Sequence, residues 1–457
     1  MTTTQYTKWI SLILAIGFAS CTPVKKEKEE KKTRPNIVFI MADDMGYECL
    51  SSYGNSDYQT PRLDKLAASG IRFENFHSQP ICTPSRVQVM TGQYNIRNYV
   101  KFGLLDRDQY TFGHAFKNAG YKTCIAGKWQ LGRESDSPQH FGFEQSCLWQ
   151  QSKGRVNDEK LDSRYPNPIM DINGKTVEFK DGNYGPDVAS DFICNFIDEN
   201  SGSPFFVYYP MILVHCPFVP TPKSKTWNPE DMGSKEYKGY GDSLEMKTHF
   251  TDMVAYTDYL VGKIVDKLEE KGLRENTLIV FTGDNGTDTP IVTSMKDGSQ
   301  VIGAKGKTID SGTHTPFMAS WPGTVEPGQV TQELADLTDV FPTICRAAGI
   351  DLPKDREFDG NIFLPALRTA EESARDWIYS WYHPRMKPGN RKEWARTEQY
   401  KLYRTGEMYD VLEDHFEESA LNELSQEQKQ IRADLQKVLD KYDFRQETEE
   451  DIKSVEG

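Results

Sequence analysis

No stretch of this 457-residue chain approaches the ~20 consecutive apolar residues that a membrane-spanning helix requires; the longest run, Ile10–Ala19, is about half that length. The sequence therefore predicts no transmembrane helix. Cysteine is sparse and never closely paired: the eight stand at 21, 49, 82, 124, 147, 194, 216 and 345, and the absence of any C-x-x-C argues against zinc ribbons and thioredoxin-like sites. An exported location would permit disulfides, yet isolated cysteines fit buried small hydrophobes equally well. Positive charge is in deficit, with 54 Lys and Arg against 68 Asp and Glu, a net charge of −14. Such a chain repels nucleic acid at long range and repels anionic small molecules as a whole, so a site for an anion must gather cations locally. There is no internal repeat. What is present, 37% hydrophobic and 12% aromatic residues, suffices for a folded core and excludes disorder or a collagen-like repeat as the main state. The length allows up to three domains, or one large α/β unit.

The apolar run Ile10–Ala19 follows Lys8 and closes on Phe18-Ala19-Ser20-Cys21, the layout of an export signal. It resembles a bacterial lipobox with Cys21 as the lipidated residue, although Phe18 replaces the usual Leu; the alternative is a short buried helix. Cleavage after residue 20 would leave 53 bases against 68 acids. Residues 21–33 include Lys25–Lys32, KKEKEEKK, a balanced charge run that fits a solvated tether between anchor and fold. The expected location is exported, periplasmic or anchored to the outer membrane, with a lipid as the sole membrane contact.

Asn36–Met41 is a continuous apolar, β-rich run of the kind buried on both faces of a parallel sheet, and similar runs recur at Thr123–Ala126, Phe205–Tyr209 and Thr277–Phe281. Amphipathic helices are predicted between them, at Pro61–Ser69 with Thr60 as N-cap and at about Lys247–Lys271. Strands alternating with helices predict a doubly wound α/β sheet. After Gly349 the texture changes to short aromatic strands near Trp377–Tyr382 and Tyr400–Tyr403 and a helix over Gln426–Lys441, read as a smaller α+β subdomain. The expected organisation is a catalytic domain over 34–350, a C-terminal subdomain over 351–445 and an acidic tail over 446–457.

Ligands of such sheets bind beyond the carboxyl ends of the strands. Asp43-Asp44, Lys128, His215 and Asp284-Asn285 follow the four runs. Asp43, Asp44, Asp284 and Asn285 offer hard oxygens without imidazole or thiolate, a set suited to Ca²⁺ or Mg²⁺; the plainer alternative is a pair of helix N-caps. Cys82-Thr83-Pro84-Ser85-Arg86 carries a cap in Thr83 and a helix start in Pro84, which would aim a helix N-terminus at an anion beside Cys82. A cysteine at a helix start is as often structural as reactive.

C-x-P-S-R before Thr91-Gly92, with the Asp pair upstream and Gly127-Lys128-Trp129 downstream, resembles the formylglycine-dependent sulfatases of the alkaline phosphatase superfamily. The resemblance continues in order through Thr60-Pro61-x-Leu63-Asp64, the segment 281–286 (FTGDNG), Ala304-Lys305-Gly306, Trp321-Pro322-Gly323 and the segment 338–343 (TDVFPT). It implies an alkaline phosphatase-like sandwich with a large, mostly parallel central sheet. It also implies that a maturation enzyme converts Cys82 to formylglycine, and that one Ca²⁺ per chain is held by Asp43, Asp44, Asp284 and Asn285. Arg86, Lys128, His215 and Lys305 match the residues that hold nucleophile and sulfate, a cation cluster of the kind that stabilises charge spreading over sulfuryl oxygens. For each cation the bland alternative is a surface charge, most of all for Lys305 in its Gly-rich loop.

Two departures stand out. The family's G-K-W-H-L-G is here Gly127-Lys128-Trp129-Gln130-Leu131-Gly132, so an amide that cannot accept a proton at neutral pH stands where a histidine contacts the formylglycine. Gln130 is accordingly a candidate for substrate binding. The usual G-G-x-R-x-P becomes Ser311-Gly312-Thr313-His314-Thr315-Pro316, in which His314 is read as structural. The expected activity is removal of sulfate from a sulfated saccharide, with substrate loops at Gln145–Arg164, Thr287–Gln300 and His383–Arg391. The alternatives are a phosphonate or phosphodiester hydrolase of the same superfamily and a non-catalytic glycan-binding relative.

Overall fold

Strand Asn36–Ala42 lies in a ten-stranded sheet and buries all seven residues. It pairs in parallel with Thr277–Gly283 on one side and Phe205–Pro210 on the other, and Phe205–Pro210 pairs in parallel with Lys122–Lys128. The sheet continues through Gln145–Trp149, parallel, to the antiparallel pair Ile169–Ile172 and Lys175–Glu178. Beyond Thr277–Gly283 come Phe317–Ser320 and Ile71–His77, antiparallel, and then Gln329–Asp336 parallel to Ile71–His77. This computed structural model describes residues 34–443 except 157–160, 231–233, 236–242, 370–371 and 388, together with Met1. The proposed leader, Cys21, the tether and the acidic tail lie outside the described residues.

Alternation along the central strand divides the core into two layers, as a period of two requires. Ile37, Phe39 and Met41 join the cluster under helices Cys82–Thr91, Phe112–Asn118 and Val340–Ala348. Val38, Ile40 and Ala42 join the opposite cluster, closed by helices Pro61–Ala68, Gly185–Asn200 and Ser243–Glu270. Burial on both faces explains why the parallel strands read as unbroken apolar runs. The last of these helices begins at Ser243, four residues before the expected start.

The small C-terminal sheet is four-stranded and antiparallel, in the order Ile378–Tyr382, Lys392–Arg396, Tyr400–Tyr403, Met408–Asp410. Helix Gln426–Lys441 follows, started by a capping box of Ser425 and Gln428. Tyr379, Trp381, Leu402 and Leu435 pack into the first core layer, so this sheet shares its apolar interior with the large one. Among the described residues no helix is long and apolar enough to cross a membrane.

Thr60 stands at the N-cap of Pro61–Ala68 as expected, but its side chain makes no capping bond. Thr60 spends its hydroxyl on Asp64 and on the amide of Ser51, and the first helical amides, Arg62 and Leu63, donate to Asp258 at 2.9 and 2.8 Å. A carboxylate from a neighbouring helix does the capping.

Candidate active site

Helix Cys82–Thr91 is buried along its whole length, and Ile81, in extended conformation, precedes its first residue, Cys82. Thr83 is therefore inside the first turn rather than its cap; its hydroxyl accepts from the amide of Gly103 at 3.2 Å. The Cys82 thiol donates to Gln130 Oε1 at 3.0 Å. Burial pushes this thiol above its ordinary range despite the nearby Lys128, so the unmodified side chain is a poor thiolate here.

The carboxyl ends of four adjacent parallel strands deliver the other groups. Asp43 and Asp44 follow Asn36–Ala42, Asp284 and Asn285 follow Thr277–Gly283, and Lys128 ends its own strand. His215 is brought in because the segment after Phe205–Pro210 stays hydrogen-bonded to Asp43, whose amide donates to Leu213 and whose carbonyl accepts from Val214. Glycines let these strand ends approach: a Cβ on Gly127 would lie 1.9 Å from the carbonyl oxygen of Pro210, and one on Gly283 would lie 2.1 Å from that of Met45. Asp44 and Gln130 adopt left-handed backbone, φ 60° and 56°, which costs non-glycine residues energy and is typical of functional positions.

Each cation has a near carboxylate, and Arg86 also lies 3.7 Å from Asp43. Lys128 Nζ donates to Asp43 at 2.7 Å, Arg86 Nη2 to Asp284 at 3.0 Å, and Lys305 Nζ to Asp44. Burial alone would raise Asp43, but Lys128, Arg86 and Lys305 outweigh it and hold the carboxyl below its usual range. Asp284 is pushed up to about 7 by burial and the adjacent Asp43. Asp44 is raised as well, by burial, against the pull of Lys305.

These oxygens fit a hard divalent cation on two grounds. Asn285 donates its amide N–H to Asp44 at 2.9 Å, which leaves the buried Oδ1 without a hydrogen-bond partner, as an unmade metal bond would. Carboxyls with affinity for protons also have affinity for a dication. Donor atoms of Asp43, Cys82 and Asp284 all lie within 4.8 Å of one another, which puts the helix start beside the acidic set. Three carboxylates against three cations make the cluster formally neutral, and a dication would leave it positive.

His215 is neutral, held well below its usual range by burial and by Lys305, Lys128 and Arg164. Its Nε2 lies 3.7 Å from Asp44. Nδ1 faces both Arg164 Nη1 at 2.7 Å, which only donates, and the Cys216 carbonyl at 2.6 Å, which only accepts; because the same Nη1 also donates to that carbonyl at 2.8 Å, the guanidinium serves both acceptors when the proton of the neutral ring is on Nε2. Arg164 is fully buried on the Trp149 ring, gripped by Asp162 at 2.8 and 2.7 Å, and it also donates to the Cys216 carbonyl. In the sequence Arg164 is marked only as the end of an expected substrate loop and Asp162 is not marked at all, for a lone arginine 51 residues upstream carries no signal of contact with His215.

All ten candidate residues thus meet at one site. Lys305 is not a surface charge, and His314 is structural, bonded to Asp310 at 3.0 Å and to the Glu74 carbonyl at 2.7 Å. The seven described cysteines are buried and free.

A large, mostly parallel sheet followed by a small antiparallel one is the alkaline phosphatase-like fold, and solved structures share it. The chain superimposes on Ps i-CgsB with a TM-score of 0.72 at 24% identity, covering 90% of this chain and 93% of that one. It superimposes on BT4656, solved in complex with its substrate D-glucosamine-2-N,6-O-disulfate, with a TM-score of 0.70 at 22% identity over 90% and 98%. Residues 35–350 match the Sulfatase family, and residues 305–445 match the C-terminal region of N-sulphoglucosamine sulphohydrolase. The chain belongs to the sulfatase family. It is 31% identical over 365 residues to the N-acetylgalactosamine-6-sulfatase of Rattus norvegicus, a match that spans 73% of this chain and 66% of that protein.

Proposed function

We propose that this protein is a sulfuric ester hydrolase that removes sulfate from a sulfated saccharide, with formylglycine made from Cys82 by a maturation enzyme and one Ca²⁺ held by Asp43, Asp44, Asp284 and Asn285. The observation that carries the reading is the convergence of Cys82, the oxygen set and three cations in one buried site of a sulfatase-family chain. A hydrated formylglycine would supply one hydroxyl to attack sulfur and a second whose proton loss expels sulfate. The calcium ion would neutralise sulfate oxygens and lower the hydroxyl pKa.

The chain's own residues do the rest. Arg86 and Lys128 hold the oxygens around position 82, and Lys305 meets charge as it develops on the sulfuryl group. His215, with its proton on Nε2, donates to the leaving oxygen. Gln130, 3.0 Å from Cys82 Sγ, orients the nucleophile or the bound sulfate but accepts no proton. The pairing of every cation with an acid keeps each one preorganised in a buried site, where reorganisation during the reaction is costly.

We also propose that residues 1–20 are removed and Cys21 is lipidated, in keeping with the h-region and small residues before it. The test of the central proposal combines peptide mass spectrometry of residue 82 with sulfate release from a panel of sulfated saccharides. An unmodified thiol in an active enzyme would overturn the nucleophile, and no sulfate release from any member by fully matured protein would overturn the activity.

A further inference from the structure

The buried cations of the site are each matched by a carboxylate, so they give an incoming polyanion no net attraction beyond that of a bound metal. The same holds for Arg164, gripped by Asp162, and for Arg396, which donates to Asp310 at 2.7 Å. Two exposed cations near the helix start differ. Lys101 and Arg385 have no side-chain hydrogen bond or ion pair among the described residues.

Both stand on loops built against the start of the Cys82 helix. Tyr99 and Leu105 are buried, and between them the chain turns outward, closed by the Leu104 amide on the Lys101 carbonyl at 3.3 Å and by Gly103 with φ 81°. The Gly103 amide anchors this turn on the Thr83 hydroxyl, one residue from Cys82. At its tip Phe102 and Val100 are each 39% exposed. The second loop, after strand Ile378–Tyr382, is a tight turn in which the Met386 amide meets the His383 carbonyl at 3.3 Å and His383 Nε2 donates to the Lys387 carbonyl at 2.7 Å. Tyr99 joins the two, its hydroxyl donating to the Pro384 carbonyl at 2.7 Å. Tyr382 ties the second loop to the segment that carries Lys305, its hydroxyl donating to the Gly306 carbonyl at 3.2 Å. The Gly306 amide in turn donates to the Pro80 carbonyl at 2.7 Å, two residues before Cys82.

We propose that Lys101, Phe102 and Arg385 form a second saccharide subsite beside residue 82, one that takes a neighbouring sugar ring carrying its own sulfate or carboxylate. The inference rests on the proposed sulfatase activity and names its substrate as an oligosaccharide charged on adjacent rings. Phe102 offers the apolar face on which a pyranose ring stacks, and the two unmatched cations receive the second anion. Anchoring at Thr83 and Pro384 holds the turns in place before binding, so the anion does not have to order them.

The test measures equilibrium binding to Cys82→Ser protein of two ligands: a monosaccharide sulfate and a disaccharide with a sulfate on each ring. Lys101→Ala/Arg385→Ala should weaken the disaccharide about tenfold or more, as expected for lost charge-assisted hydrogen bonds, and leave the monosaccharide within about twofold. Phe102→Ala should weaken the disaccharide while Phe102→Tyr retains it, and Lys429→Ala, on the C-terminal helix, should change neither. Equal weakening of both ligands, or no weakening of either, would overturn the subsite. Loss of the underlying activity is distinguished by turnover: matured wild-type protein that binds the disaccharide but releases no sulfate from it refutes the hydrolase and leaves the subsite standing as a binding site.

Discussion

Replacing Arg164 separates what this residue does for the fold from what it does for His215. Arg164→Leu alone removes two hydrogen bonds to Asp162, a carboxylate that is 2% exposed, and leaves it the amide of residue 164 at 3.1 Å and the more distant Arg155 at 3.9 Å. Losing the close partner of a buried charge costs up to about 3 to 5 kcal/mol, a large part of the roughly 5 to 15 kcal/mol that holds a folded domain together, and the amide and Arg155 offset some of it. Adding Asp162→Asn removes the weakly matched charge, so Arg164→Leu/Asp162→Asn should recover most of the stability. It should not recover the tautomer, because nothing then donates to Nδ1, and that nitrogen will take the proton and give it to the Cys216 carbonyl 2.6 Å away. A proton donor is worth ~10² to 10⁴ in rate when the leaving oxygen needs one. The double variant is therefore predicted to lose about a hundredfold or more in kcat on an alkyl, glycan-type sulfate and little on an aryl sulfate whose leaving group departs unprotonated. Urea unfolding and kcat on both substrates, for the single and double variants, decide the matter. Parallel recovery of stability and glycan turnover in the double variant would refute the positioning of His215 by Arg164.

His215→Ala should be far more damaging than Gln130→Ala on a glycan sulfate, and the reverse order in steady-state kinetics on both substrate types would overturn the roles assigned to them. In metal-free protein, Asp284, raised to about 7, disfavours the folded state increasingly as pH climbs from the usual carboxylate range to that value. Calcium should therefore raise the thermal midpoint more at pH 8 than at pH 5.5, where protons compete for the site; equal shifts in scanning calorimetry at the two pH values would count against a calcium site built on Asp284. Asp284→Ala should remove the calcium-dependent shift and the activity together, checked by calorimetry and sulfate release. Cys21→Ala should release the protein from membranes with kcat unaltered, and unchanged membrane retention on fractionation would contradict lipidation at that residue.

Much of the site was legible along the chain because the fold reuses one local grammar. A strand buried on both faces of a parallel sheet has to be a continuous apolar run, and the residues just past it have to be at the ligand-binding edge. Asp43, Asp44, Lys128, Asp284 and Asn285 were found by that rule, while Cys82, Arg86 and Lys305 needed family motifs as well. Local chemistry also marks the Ser425 cap, since Ser and Gln three residues apart satisfy each other within one turn. Tertiary structure decided the rest. Asp258, nearly 200 residues away, caps the helix that Thr60 was expected to cap; Lys305 left its Gly-rich loop for Asp44; and Arg164 with Asp162 came to govern His215. The bonds of Asp258 to Leu63, of Lys305 to Asp44 and of Arg164 to His215 join residues far apart in sequence, and they form only when the helices and loops around the sheet pack together. Spacing along a chain carries information about neighbours within a turn or a strand, whereas partners across a core are set by packing, and no local pattern encodes them.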